Sequence, residues 1–131
     1  MMLMRIAAAL QLGVAAANVP LSWMLCFGRA QRRLPPIVRQ IHQVHHGYLV
    51  GLLVVFAALS MAFPEELSAG GGLGRFLSAV LALFWGLRLV VQRLYYDPDF
   101  LRSHRAGDIA FSLVFAFLTG VYAASAAGAL Q

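Results

Sequence analysis

Four long stretches of this chain carry almost no charge, and that pattern decides what it can fold into. Residues 6–28 are a run of about 23 positions without a charge, enough at about 1.5 Å per helical residue to cross a hydrocarbon layer of about 30 Å. Residues 47–64 form a shorter run, but helical character extends back toward the Pro35-Pro36 pair, a natural helix start. Residues 76–96 are interrupted only by Arg88, Gln92 and Arg93, and residues 109–130 are clean. The expected fold is therefore all-α: an integral membrane bundle of four transmembrane helices, one domain over residues 1–131, with spans at about 6–28, 40–63, 76–96 and 109–130.

Composition excludes the soluble alternative. Of 131 residues, 61% are hydrophobic and 11% charged, and a water-soluble domain of this size has too much surface to hide so much apolar material. The net charge of +5 rests on arginine alone, in short segments between apolar runs. That placement speaks for membrane orientation and against nucleic-acid binding. The single cysteine, Cys26, excludes an internal disulfide and a Cys-only metal site, and reads as a small packing residue. Arg5 followed by an apolar stretch and Ala15-Ala16-Ala17 resembles a secretory signal, but the length suits a full span, so this segment is expected to stay as a helix. The segment from Ser68 to Gly74 reads as a flexible glycine loop.

Orientation follows from the arginines. Arg29, Arg32, Arg33 and Arg39 lie between spans one and two, and Arg102 and Arg105 between spans three and four, with Arg93 nearby. The opposite side has Arg5 and Arg75 beside Glu65 and Glu66. The positive-inside rule makes the arginine-rich loops cytoplasmic and puts both termini and the glycine loop outside.

Depth then places the polar residues. His42, His45 and His46 fall at the cytoplasmic mouth of span two, at offsets of three and four that share a face. On span three, Arg88, Gln92, Tyr95 and Tyr96 also follow one face. If the two faces meet, they enclose a cytoplasm-facing pocket floored by Arg88, level with Gly51 and near Tyr48, with the Gly47/Gly51 pair allowing close approach. The expected ligand-binding residues are Arg88, Gln92, Tyr48, Tyr95, Tyr96, Trp85 and Arg39. Arg88 either reaches to the headgroups as an anchor or meets a ligand inside the bundle, because a charge at that depth is costly in lipid. Asn18 and Pro20 read as a kink beside the pocket, and Gly120, Ala124 and Gly128 as a close-packed face of span four.

The histidine segment Ile41-His42-Gln43-Val44-His45-His46-Gly47 has two readings. The rings either sit among headgroups or ligate a metal or haem, with His42, His45, His46 and His104 as the candidate ligands and iron, copper, zinc or haem as the candidate cofactors. The H-x-x-H-H pattern resembles one histidine box of the membrane fatty-acid hydroxylase and desaturase families, and that resemblance implies a di-iron centre. Those families use about twice as many histidines as the four present here, so one chain alone does not supply the set. Arg39-Gln40 followed by His45-His46, together with Phe84-Trp85-x-x-Arg88-x-x-x-Gln92 followed by Tyr96-Asp97, resembles a group of uncharacterised small four-span bacterial membrane proteins. That resemblance implies the fold and a bacterial inner membrane location, and no activity.

Three functional classes stay open. A pocket protein or small enzyme would bind a metal, haem, quinone or isoprenoid-like lipid, possible partners being membrane lipid and a second copy of the chain. An accessory subunit would pack within a larger membrane redox, photosynthetic or biosynthetic complex. A transporter would need an oligomer and has no acidic relay within the spans.

Overall fold

The computed structural model describes residues 2–130. In chain order it contains α1 (Met2–Phe27), a 3-10 turn (Gln31–Arg33), α2 (Pro36–Ala62), α3 (Pro64–Ser68), α4 (Gly72–Leu94), α5 (Pro98–Ser103) and α6 (Arg105–Ala126). Three helices open on proline, at the first position, where the missing N–H has no partner to lose. Helix accounts for 87% of the chain and there is no strand among the described residues, so the fold is all-α. α1, α2, α4 and α6 are each long and apolar enough to cross a membrane.

The four long helices form two hairpins. α1 lies along α2, and α4 along α6. The hairpins meet where α1 touches α6 and where α3 reaches both. α2 and α4 touch at Phe56 and Phe84, whose rings meet edge to face at 5.0 Å.

This pairing is decided by buried stripes. On α4 the buried positions are Gly74, Ser78, Leu81, Trp85 and Gln92, spaced by threes, fours and a seven, which is one helical face. The matching stripe on α6 is Ser112, Phe115, Leu118, Val121, Tyr122 and Ser125. The close-packed face expected at Gly120, Ala124 and Gly128 is not the one used: Gly120 is exposed and the other two are half-buried. Serine hydroxyls at the crossing supply small size and hydrogen bonds together, as glycine would supply size alone.

Two polar knots lie at the glycine-loop end, the first joining the hairpins and the second joining α3 to the α4–α6 hairpin. Gln11 of α1 donates from Nε2 to the Tyr122 hydroxyl and, at 3.3 Å, to Ser60 Oγ, while the Ser60 and Tyr122 hydroxyls are 2.5 Å apart. All three are fully buried. The second knot gathers Ser78 Oγ and Ser125 Oγ around the Leu67 carbonyl oxygen, at 3.2 and 2.5 Å.

The expected flexible loop is instead a tight corner. α3 takes its first residue, Ser68, and α4 begins at Gly72, so only residues 69–71 lie outside helices. Gly70 takes a left-handed φ of 72°, and a Cβ on the buried Gly74 would collide with the Glu66 backbone oxygen. Glycine serves close approach here, not mobility.

Candidate functional site: a cavity at the arginine-rich end

A cavity of about 570 Å³ opens between α1, α4, α5 and α6, at the end of the bundle where the arginine-rich turns lie. α1 contributes Ala17, Asn18 and Leu21; α4 and the turn after it contribute Arg88, Gln92, Tyr96 and Asp97. α5, the corner and α6 contribute Phe100, Leu101, His104, Gly107, Asp108, Phe111 and Phe115. The α4 side is mainly polar, whereas the α5–α6 side combines Phe100, Phe111 and Phe115 with the polar His104 and Asp108.

Arg88 and Gln92 reach this cavity because they prolong the buried stripe of α4 past Trp85, at offsets of three and seven. Arg88 is half-buried and points into the bundle. Its Nη1 donates to the Tyr96 hydroxyl at 2.6 Å, and its central carbon lies 5.6 Å from the centroids of both the Tyr96 and Phe115 rings. Among the described residues no carboxylate is within ion-pair distance of it. The nearby acids are turned to other partners. Asp97 caps α5, its Oδ1 accepting from the Asp99 backbone N–H at 3.0 Å. Asp108, whose side chain is 10% exposed, accepts from Gln92 Nε2 at 3.0 Å, Ser112 Oγ at 3.4 Å and Arg93 Nη1 at 3.4 Å. Asp108 also sits in the first turn of α6, where the helix dipole favours a carboxylate. The guanidinium therefore keeps donors directed at the cavity, with one hydroxyl partner and two ring faces as its protein contacts.

The structure divides the expected site. Arg88, Gln92, Tyr96 and His104 come together in the cavity. Tyr48 and Tyr95 do not join them: they are 78% and 82% exposed, on the outer surfaces of α2 and the end of α4. The expected meeting of the α4 polar face with Gly51 and Tyr48 does not occur, because the stripe that carries Arg88 is the one committed to α6. Trp85 is fully buried one turn away, stacked on Phe115 at 5.5 Å, and supports the site without lining it. Arg39 is half-buried on α2 and lines neither cavity.

The histidines separate as well. His42, His45 and His46 line a shallow depression of about 450 Å³ with Val38, Ile41 and Leu49, all on α2. His104 is in the Arg88 cavity, its ring stacked on Phe100 at 4.5 Å and its Nδ1 3.1 Å from the Phe100 carbonyl oxygen. The corner formed by α5 holds it on the α4–α6 hairpin, so it does not complete the α2 set. Among the described residues no three His, Cys, Asp or Glu side chains converge as a ligand group.

Comparison with protein-family models, curated proteins and solved structures finds no match to this chain. The site must be read from its own geometry. Sequence reasoning missed Asp108 and the Phe100, Phe111 and Phe115 wall. The available signal for Asp108 was its distance of four from Ser112, which puts the two on one face once the helix is taken to begin before Asp108.

Proposed function

We propose that this chain is a membrane protein whose cavity between α1, α4, α5 and α6 binds an amphiphile of quinone or lipid type, taking a carbonyl or anionic head group against Arg88. The observation that carries this reading is Arg88 itself. It is turned inward beside Phe115, with one hydroxyl acceptor, and has no carboxylate counter-ion among the described residues. A guanidinium so placed keeps strong donors that need acceptors away from bulk water. The aromatic side chains of Phe100, Phe111 and Phe115 suit a ring or an acyl chain, and about 570 Å³ is within the usual range of about 300–1,000 Å³ for ligand cavities.

The arginine distribution supports a cytoplasmic mouth: Arg29, Arg32, Arg33, Arg93, Arg102 and Arg105 lie at the same end of the helices as the cavity. The ligand then enters at the inner headgroup level.

The deciding experiment uses the full chain in mild detergent, with native mass spectrometry and thermal unfolding against two probes, a short-tailed benzoquinone and a phosphatidic acid. Both present oxygen acceptors to Arg88, and the two arms tell a carbonyl head from a phosphate. Saturable binding of either by the native chain and its loss in Arg88→Leu supports the reading. Binding of neither, together with stable co-purification of other membrane proteins, favours the accessory-subunit alternative.

A further inference from the structure

We infer that His42 and His46 form a two-histidine clip for a borderline first-row divalent cation, on α2, a helix that contributes nothing to the Arg88 cavity. The two residues are one turn apart on the same face, and their ring centroids are 5.6 Å apart. That separation suits a shared ion. With metal–nitrogen bonds of about 2.1 Å, each ring centroid sits about 3.2 Å from the metal, and a tetrahedral angle then separates the centroids by about 5.2 Å. Neutral imidazole nitrogens suit zinc, copper and nickel rather than magnesium or calcium.

A second observation bears on His42. Gln31, in the 3-10 turn, is 9% exposed, and its amide nitrogen lies 3.1 Å from His42 Nδ1 while its buried Oε1 has no partner. The turn thus sends a buried amide across to fix one imidazole, as outer-sphere groups do for metal-ligating histidines. Turned over, the same amide presents Oε1 to a His42 Nδ1–H and leaves Nε2 as the ligand atom. His45 provides an internal contrast. Its Nδ1 is 2.8 Å from the Ile41 carbonyl oxygen, and its Cβ projects about 100° around the helix from that of His46, so it does not share the ion. Arg39, three residues before His42, is the one positive side chain on this turn of α2, and it moderates the affinity without occupying the clip. The remaining coordination positions face outward from α2 and are filled by water.

The test is calorimetric titration of the full chain in mild detergent with Zn²⁺ alone and with Cu²⁺ alone, with electron paramagnetic resonance on the copper sample. One ion per chain, two nitrogen ligands in the copper spectrum, and loss of saturable uptake in both His42→Ala and His46→Ala are expected. His45→Ala and His104→Ala should bind as the native chain does. Gln31→Leu, which removes no ligand, should weaken binding by about tenfold or more with the helical signal unchanged. The clip is overturned by absence of saturable uptake in the native chain, by uptake that survives both ligand variants, or by uptake that falls with His45→Ala instead.

Discussion

Arg88 and Phe115 face each other across the seam between α4 and α6, the guanidinium carbon 5.6 Å from the ring centroid. A cation over an aromatic face is worth about 0.5–2 kcal/mol, and more when water is excluded. The contact therefore aims Arg88 without consuming its hydrogen-bond donors, which stay directed at the cavity.

Arg88 variants should separate charge from shape. Charge-assisted hydrogen bonds contribute about 1.5–3 kcal/mol, so Arg88→Leu should weaken amphiphile binding by about tenfold or more while leaving thermal unfolding near the native value. Arg88→Lys should recover part of the affinity, since an ammonium keeps the charge but not the planar fork. Equal binding by Lys and Arg would count against a head group held by two parallel hydrogen bonds.

The Gln11–Tyr122–Ser60 knot should behave as one unit. Tyr122→Phe keeps the ring and deletes the hydroxyl that both neighbours use, at a cost of about 1 kcal/mol within a membrane bundle. In a double-mutant cycle with Gln11→Leu, the loss in the double variant should fall short of the sum of the two single losses by about 0.5 kcal/mol or more. Unfolding measured in detergent reads this directly, and strict additivity would show the hydroxyl and amide to be independent.

Glycines should differ sharply by position. Gly74→Ala drives a methyl into the Glu66 backbone oxygen and should strip stability heavily or prevent folding. Gly47→Ala and Gly51→Ala meet nothing within 4 Å and remove flexible residues from the middle of α2, so each should be neutral or raise stability by up to about 1 kcal/mol. A thermal unfolding series over the three variants checks the ranking.

Sidedness can be mapped with single cysteines in a Cys26→Ala background. Ser68, the last residue of α3, is buried and is a poor reporter, whereas Ala69 and Ser103 are exposed. Ala69→Cys should react with a membrane-impermeant thiol reagent from outside and Ser103→Cys only after the membrane is opened. Labelling of both from one side would contradict the proposed orientation.

The spans were legible because length and charge alone decide what crosses about 30 Å of hydrocarbon. Pro36 marked the start of α2 for a similarly local reason, the fixed φ of its ring. The inward turn of Arg88 was one of the two readings that the sequence left open, suggested by the cost of a charge in lipid. Its neighbour was not. Helical periodicity says that Arg88 and Gln92 share a face, but which helix that face meets depends on Ser78, Leu81 and Trp85 higher on the same stripe fitting Ser112, Phe115 and Ser125 of α6. The histidines of α2 consequently stand apart from Arg88. Asp108 was hidden by a boundary: α6 starts at Arg105, and the charges that suggested a loop are its first turn. The corner at Gly70 and Gly74 was read as mobile because glycine permits both freedom and tight contact, and only the position of the Glu66 carbonyl tells which.

The order in which the chain emerges during synthesis gives the Gln11 knot a further meaning. Gln11 and Ser60 belong to the first hairpin and are 49 residues apart, whereas Tyr122, on α6, comes 62 residues after Ser60. A first hairpin released alone into the bilayer exposes an amide and a hydroxyl that lack their shared partner. Packing of α6 covers those groups. A chain stopped before α6 would therefore keep the Gln11–Ser60 contact alone, without the Tyr122 hydroxyl that both groups share in the folded bundle.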